Sequence, residues 1–302
     1  MRKVPPSVRG IRRLEVFLLL FQGSLTLVLM GVWSHPAAPR DLLPALVCAI
    51  LLLLLCRLTN PVNPWVRGFC EWGYLYPFIL VSYLATGKLI PLINPVGQTH
   101  DVLLAAIDGT LFRVSPALWR SGINHPLIVE LCAYGYISYF LFGLLLIVSL
   151  YRRYDASTKV FAAVFSAVVV AFYLSYLGYW IYPAQGPRYL WKEFLDPLTG
   201  YALARCAFNE MDGVSYGFYD AFPSEHTMFS IVAGYYWFRY SRRMFWFMTP
   251  LLLLAVSATI ILRYHWVTDV VAGAILAPLV IMASNRFGPW LVLPMSWKQK
   301  KD

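Results

Sequence analysis

Apolar residues in this chain gather into long runs, and most polar and charged residues lie between them. Eight of these runs approach the roughly 20 residues with which an α-helix crosses the hydrocarbon core of a bilayer. They cover residues 14–33, 42–56, 72–92, 126–150, 159–182, 226–241, 244–262 and 265–284. The pattern therefore predicts an all-α fold, a polytopic membrane bundle of about eight transmembrane helices.

The composition supports a membrane protein and excludes a soluble one. Hydrophobic residues make up 59% of the 302 residues and charged residues 13%, whereas soluble domains have about 45–50% and about 25%. The net charge of +10 would fit nucleic-acid binding if it formed a basic face on a soluble domain. Because the basic residues lie in loops instead, we expect no nucleic-acid partner.

The basic residues are concentrated in alternate loops. Most of the 25 Lys and Arg precede the first run or follow the second, fourth, sixth and eighth runs. The positive-inside rule assigns such loops to the cytoplasm, so it predicts a multi-pass protein with both termini cytoplasmic. The loops that carry Arg188 and lead into His226 and His265 are then extracytoplasmic.

Two stretches between the runs are long enough to contribute structure of their own. Residues 94–124 include an amphipathic segment, 102–112, that is too short to span and fits a helix lying in the membrane interface. Two interpretations of it stay open, a roof or gate over a site and a simple connector. Residues 183–222 form a long outer loop, and loops of this length are commonly lids or binding loops.

Reactive side chains occupy the ends of three apolar runs, in Pro187-Arg188, Phe222–His226 and Arg263–Asp269. Ionisable residues in or near hydrocarbon are costly unless they are paired or solvated, so they indicate a functional site. Together these segments offer two imidazoles, two guanidiniums and one carboxylate. This set of groups is suited to phosphoryl transfer.

His265 and Asp269 are four residues apart, so a helix places both on one face. A carboxylate that accepts a hydrogen bond from one ring nitrogen fixes the tautomer and leaves the lone pair of the other nitrogen free to attack. We therefore predict that His265 is the nucleophile and that Asp269 orients it. The alternative is a buried histidine with a purely structural acid partner.

Ser224 comes directly before an apolar run and has the side chain of a helix N-cap. The free N–H groups of the first turn favour an anion, so we predict that Ser224 binds phosphate and that His226 is the general acid. Arg188 and Arg263 suit bidentate binding of phosphate oxygens. No acidic residues have the spacing of a metal site, so we expect neither a metal nor another cofactor.

The three segments resemble the signature motifs of the type 2 phosphatidate phosphatase superfamily. The resembling strings are Tyr182–Arg188, Pro223–His226 and Arg263–Gly273. The resemblance implies a phosphohistidine intermediate, with the nucleophile, its aspartate, the acid and the phosphate ligands at His265, Asp269, His226, Arg188 and Ser224. It also implies a six-helix catalytic core within residues 71–302. Residues 1–70 would then add a basic cytoplasmic segment and two accessory helices.

Departures from the usual motifs resemble one branch of that superfamily. Ile181 stands where the first motif usually has a lysine, and Arg263 stands two residues before His265 in place of a serine–arginine pair further upstream. Both features are similar to inositol phosphorylceramide synthases and related lipid phosphotransferases of sphingolipid and phospholipid metabolism. Glu225 occupies a position where glycine is common, and its charge is predicted to act on His226.

The leading hypothesis is therefore a metal-independent lipid phosphatase or lipid phosphotransferase that works on a lipid phosphate or phosphodiester at the extracytoplasmic face. Its expected partners are a membrane lipid and, for a transferase, a lipid or alcohol acceptor. Two alternatives stay open. One is a non-enzymatic carrier or channel whose path is lined by His226 and His265, and the other is a bis-histidine haem protein.

Overall fold

The computed structural model describes residues 12–59, 63–94, 99–116, 125–151, 159–190, 198–206, 208 and 218–292. A π-helical turn, Phe69–Gly73, lies between the third and fourth α-helices. The α-helices are α1 Arg13–Gly31, α2 Leu42–Leu58, α3 Pro64–Gly68, α4 Leu75–Ile93, α5 Asp101–Phe112, α6 Pro126–Tyr151, α7 Lys159–Ile181, α8 Pro187–Leu190, α9 Glu225–Tyr240, α10 Arg242–Ile261 and α11 Val267–Val292.

A helix occupies each of the eight predicted positions, which confirms the all-α polytopic bundle. Six of them, α1, α4, α6, α7, α10 and α11, are long and apolar enough to cross a membrane. The helices α2 and α9 are shorter, at 17 and 16 residues. Sixteen helical residues rise only about 24 Å, less than the roughly 30 Å of a hydrocarbon core. Helix α9 is therefore too short to cross the hydrocarbon core on its own.

Helix α7 is at the centre of the bundle and packs against α4, α6, α9 and α11. Its apolar residues are distributed around the whole helix, and the part facing its neighbours is built largely from alanine and valine. A helix that is hydrophobic all round is buried on all sides. Small residues allow close approach here, since Gly288 of α11 lies against Ala162 and Ala163 of α7.

The first two helices are joined to α4 by a buried group that we call the Glu15 cluster, formed by Arg12, Glu15, Arg57 and Tyr74. The Glu15 carboxylate lies 2.6 Å from Arg57 Nη2 and accepts a 2.6 Å hydrogen bond from the Tyr74 hydroxyl. It also accepts the backbone N–H of Arg12 at 2.8 Å. The cluster fixes the start of α1, the end of α2 and the start of α4 relative to one another. The division of the chain near residue 70 stays a prediction.

The amphipathic segment predicted at 102–112 forms α5. Its buried positions are Asp101, Leu104 and Asp108, whereas Val102 and Leu103 are exposed. The two carboxylates thus face the bundle, and apolar side chains face outward. Residues 95–98 and 117–124 of the same stretch lie outside the described residues. Because α5 packs on both α8 and α11, it bridges two of the segments that carry reactive residues.

Part of the outer loop 183–222 is anchored to α6 by one carboxylate. Glu130 accepts hydrogen bonds from the backbone N–H groups of Tyr201, Leu203 and Ala204, at 2.8, 2.9 and 3.0 Å. These donors belong to the free end of a short helical turn at 202–206, and a carboxylate at a helix N-terminus is a favourable partner. Residues 191–197, 207 and 209–217 of the predicted lid lie outside the described residues.

Candidate active site

His265 and Asp269 lie together as predicted, but a second group orients the histidine more closely. His265 Nδ1 is 3.5 Å from Asp269 Oδ2 and only 2.8 Å from the carbonyl oxygen of Ala221. A carbonyl oxygen is an acceptor only, so Nδ1 carries the proton and donates it. The lone pair is therefore on Nε2. The spacing along the sequence predicts only Asp269 as the partner of Nδ1, and the structure adds the Ala221 carbonyl.

Asp269 also completes the start of α11. Its Oδ2 atom accepts the backbone N–H of Trp266 at 2.8 Å, which is the reciprocal half of a capping box. The residue is fully buried, and its Oδ1 atom has no hydrogen-bond partner among the described residues. The Asp269 carboxylate thus links the start of α11 to His265 through Oδ2, and Oδ1 takes no part in this link.

Ser224 is the N-cap of α9, as predicted, and its hydroxyl accepts from the backbone N–H of Thr227 at 3.3 Å. The Ser224 backbone N–H donates to the Asp269 carbonyl at 3.1 Å. A Cβ atom on Gly273 would collide with the Ser224 carbonyl, so only glycine permits this approach of α9 and α11. The ring centroids of His226 and His265 are consequently 5.8 Å apart.

His226 is held by two tyrosines of α6. Its ring stacks on Tyr136 at a centroid distance of 4.3 Å and lies 4.0 Å from the ring of Tyr139. The side chain is only 9% exposed. Its Nε2 atom has no hydrogen-bond partner in the part of the chain that the structure describes. A buried polar atom without a partner is costly, and a bound ligand would remove that cost.

The two arginines belong to segments that are joined through their backbones. The Arg188 N–H donates to the Arg263 carbonyl at 2.8 Å, and Arg263 has a positive φ of 66°. Gly186 has φ +90° and packs against the Tyr264 carbonyl, where a side chain would collide. The Arg188 guanidinium lies over the Tyr264 ring, 5.1 Å from its centroid. Phosphate binding by both arginines and by Ser224 stays a prediction.

Two carboxylates of α5 bind these segments, Asp101 both of them and Asp108 the second, and sequence reasoning missed them. Asp101 accepts the backbone N–H of Gln185 and of Gly186, at 2.9 and 2.8 Å, and the indole N–H of Trp266 at 2.9 Å. Asp108 caps the start of α11 by accepting three hydrogen bonds. Its donors are Val267 N at 2.9 Å, Thr268 N at 3.0 Å and Thr268 Oγ1 at 2.7 Å. The helix is thus more than a connector.

The signal for these carboxylates is present in the sequence. Asp101 and Asp108 are seven residues apart, which places them on one face of an otherwise apolar short helix. An interfacial helix normally turns its polar face to water. Two acidic residues alone on one face of an apolar helix indicate that this face binds another part of the chain. We call Asp101 and Asp108 the α5 clamp.

The Glu225 carboxylate is bound by two tyrosines. It accepts hydrogen bonds from the hydroxyls of Tyr139 and Tyr179, the latter at 3.2 Å. Nearby, Asp220 accepts a 2.6 Å hydrogen bond from Tyr83. Burial raises the pKa of the Asp220 carboxyl. The expected electrostatic action of Glu225 on His226 stays a prediction.

A cavity of about 700 Å³ begins at the two histidines and extends between α4, α6 and α7. Asp220 and Glu225 line it close to His226 and His265. Further along α6 its wall is apolar and includes Leu144, Ile147 and Val148. Because 12 residues separate Tyr136 from Val148, the cavity follows α6 for about 18 Å. Its shape suits an elongated molecule with one polar end.

A comparison with known families shows to which family the chain belongs. A family model described as the PAP2 superfamily matches residues 103–283, more than half of the chain. The chain belongs to the PAP2 superfamily. The PAP2 match includes both histidines, Asp269, Ser224 and both arginines, so the resemblance inferred from the motifs is confirmed. Comparison with curated proteins and with solved structures found no match.

PAP2 membership, together with six apolar helices, indicates an integral membrane enzyme of the lipid phosphatase type. It favours the enzyme over the carrier and the haem protein. Among the described residues, no group of three or more His, Cys, Asp or Glu is placed to hold a metal ion. Metal independence stays a prediction, as do the assigned roles of the site residues.

Proposed function

We propose that this PAP2 protein is a membrane lipid phosphatase or lipid phosphotransferase of the inositol phosphorylceramide synthase-like branch, acting through a phosphohistidine at the extracytoplasmic face. One observation carries the proposal. His265 donates its Nδ1 proton to the Ala221 carbonyl and lines one end of a cavity whose far end is apolar. His226 lines the same end, and its Nε2 atom has no hydrogen-bond partner among the described residues.

In the first step, the Nε2 lone pair of His265 attacks phosphorus, and the bond from phosphorus to the leaving oxygen breaks. His226 donates its proton to that oxygen. Asp269, 3.5 Å from Nδ1, stabilises the positive charge that the ring acquires. The products are a phosphohistidine and the released alcohol, and His226 is left neutral.

In the second step, water or the hydroxyl of an acceptor attacks the phosphohistidine. His226 takes the proton of the attacking group, and the bond between phosphorus and His265 breaks. Water gives phosphate and a phosphatase, whereas an acceptor lipid gives a new phospholipid and a phosphotransferase. Arg188, Arg263 and the free N–H groups at the start of α9 would neutralise the phosphate oxygens.

The nucleophile is tested by replacing His265 with asparagine, which retains a hydrogen-bond donor to Ala221 and has no nucleophilic ring nitrogen. We expect loss of phosphate release and of acceptor phosphorylation, together with loss of the acid-labile, base-stable protein label formed from a ³²P-lipid. His125→Asn is the matched control, because His125 lies outside the cavity lining and is expected to keep full activity. Retained labelling in His265→Asn would refute the proposal.

The general acid is tested with leaving groups of different acidity. His226→Asn should lower kcat/KM, which reports the first step only, for alkyl phosphates by about 10²–10⁴-fold. It should lower kcat/KM for p-nitrophenyl phosphate much less, because p-nitrophenolate leaves without a proton. Equal losses for both substrates would contradict this role. Mass spectrometry of products formed with and without an added acceptor alcohol separates hydrolysis from transfer.

A further inference from the structure

Five polar residues form a band across the cavity, which we call the carboxylate waist: Asp220, Glu225, Tyr83, Tyr139 and Tyr179. All five line the cavity. Both carboxylates receive hydrogen bonds from tyrosine hydroxyls, Asp220 from α4 and Glu225 from α6 and α7. The proposed phosphoryl chemistry uses none of them.

The waist lies between the reactive histidines and the apolar part of the cavity. Tyr139 belongs to both regions, since its ring is 4.0 Å from that of His226 and its hydroxyl donates to Glu225. Beyond it along α6 the lining becomes apolar, with Leu144 and Ile147. A lipid with its phosphate at His265 and its tail in the apolar part would therefore place the atoms between them at the waist.

The waist offers acceptors and has unused capacity. The two oxygens of a carboxyl group have about four acceptor positions when it is ionised, and the group keeps acceptor positions when it is protonated. Glu225 uses two of these for tyrosines, and Asp220 uses one for Tyr83. Within the described part of the chain neither carboxylate pairs with a basic side chain. A buried carboxyl group without a cationic partner is stabilised by further hydrogen bonds.

A second observation also points to a ligand in this cavity. His226, which is more than nine-tenths buried and lines the same cavity, has an Nε2 atom without a partner among the described residues. The unpartnered His226 Nε2 at the reactive end and the spare acceptor positions at the waist have a common solution. One bound molecule would satisfy them if it carried an anion followed by hydrogen-bond donors.

We infer that the carboxylate waist is a specificity subsite for lipid phosphates whose segment next to the phosphate carries hydrogen-bond donors, such as a hydroxyl, an amide N–H or an ammonium group. This inference rests on the proposed function. A diacylglycerol phosphate has only ester oxygens in that segment and would leave both carboxylates without donors. A site that binds donors rejects an analogue lacking them because its own polar groups stay unpaired.

The test uses the purified full-length protein in detergent micelles and two matched substrate pairs. The first pair is a monoacylglycerol 3-phosphate with a free 2-hydroxyl and its 2-deoxy analogue. The second pair is a long-chain 2-amino-alkyl phosphate and the analogue without the amine. We expect kcat/KM to favour the donor-bearing member of at least one pair by about 10-fold or more. The pair with the larger ratio identifies the donor.

The variants Glu225→Gln and Asp220→Asn test whether the waist causes the preference for donor-bearing substrates. Each should reduce the donor-to-analogue ratio by about 10-fold, because an amide presents a donor where the carboxylate presented an acceptor. Asp41→Asn is the matched control, since Asp41 lies outside the cavity lining at an exposed ion pair with Lys88. It should leave the ratio unchanged.

The outcomes separate this inference from the proposed function. Ratios near one in the wild type, with normal turnover and a normal phosphohistidine label, would overturn the inference and leave the proposed function standing. A ratio that persists in both waist variants would also overturn it. Absence of turnover and of the label with every substrate would refute the proposed function and the inference together.

Discussion

Two groups of buried charged residues contact α4, and they differ in whether their carboxylates have cationic partners. One is the Glu15 cluster at the start of α4, and the other is the carboxylate waist further along the helix. In the Glu15 cluster the carboxylate has two guanidinium groups nearby, with Arg57 at 2.6 Å and Arg12 at 3.8 Å, and also accepts from Tyr74. In the carboxylate waist Asp220 and Glu225 receive only tyrosine hydroxyls. The Glu15 cluster therefore contains cations that pair with its carboxylate, whereas the five residues of the waist include no cation.

This difference separates a structural polar group from one that awaits a ligand. Burying a charge costs several kcal/mol unless the protein pairs it, so a completed cluster such as that of Glu15 holds helices in register. An incomplete cluster retains its binding capacity and is stabilised only when a ligand arrives. Both clusters contain a buried carboxylate that accepts from a tyrosine hydroxyl, and the two arginines of the Glu15 cluster distinguish it from the waist.

The largest expected effect on stability comes from removing the charge of the completed cluster. Glu15→Gln leaves the guanidiniums of Arg12 and Arg57 buried without their carboxylate, which should lower the free energy of unfolding by about 3–5 kcal/mol. Denaturant titration in micelles measures this loss. Turnover per folded molecule should remain that of the wild type, because the cluster is outside the cavity's histidine end.

The exposed ion pair between Asp41 and Lys88 provides the reference for Glu15. Their side chains are 70% and 37% exposed, and such pairs contribute at most about 1 kcal/mol. A Glu15→Gln protein that loses no more stability than Asp41→Asn would contradict the structural role of the cluster.

An intermediate effect is expected at the α5 clamp, where the carboxylates position the site without touching substrate. Asp108→Ala removes three acceptor contacts at the start of α11 and should allow His265 to shift. We expect kcat to fall by about 10–100-fold with little change in KM. Asp108→Asn keeps one acceptor oxygen and should recover part of the loss. A raised KM with normal kcat would argue instead for a binding role.

The helices could be predicted because hydrocarbon thickness imposes one apolar length on every crossing segment. The ends were less predictable. The apolar run predicts a helix over 265–284, but α11 continues to Val292 because the polar residues that follow the run are compatible with a helix. There Asn285 accepts from the Tyr236 hydroxyl, a contact that an apolar run does not reveal.

The site was predictable only where its contacts are local in sequence. The His265–Asp269 pair and the Ser224 cap follow from helix periodicity and capping rules within four residues. The Ala221 carbonyl that binds His265 is 44 positions away. Asp108 is 159 positions from Val267, and such partners depend on how helices pack rather than on spacing along the chain.

The smallest expected effect comes from neutralising the waist. Glu225→Gln should change the free energy of unfolding by at most about 1 kcal/mol and should not reduce it as Glu15→Gln does, since no cationic partner is lost. The amide oxygen can still accept from one of the two tyrosines, and the amide NH2 can donate to the hydroxyl oxygen of the other. Removing a buried charge without a counter-ion offsets the lost hydrogen-bond strength. Denaturant titration of Glu225→Gln and of Glu15→Gln compares the two changes in the free energy of unfolding. If Glu225→Gln were destabilised as strongly as Glu15→Gln, the waist would be a structural cluster, because its charge would then contribute to folding before any ligand binds.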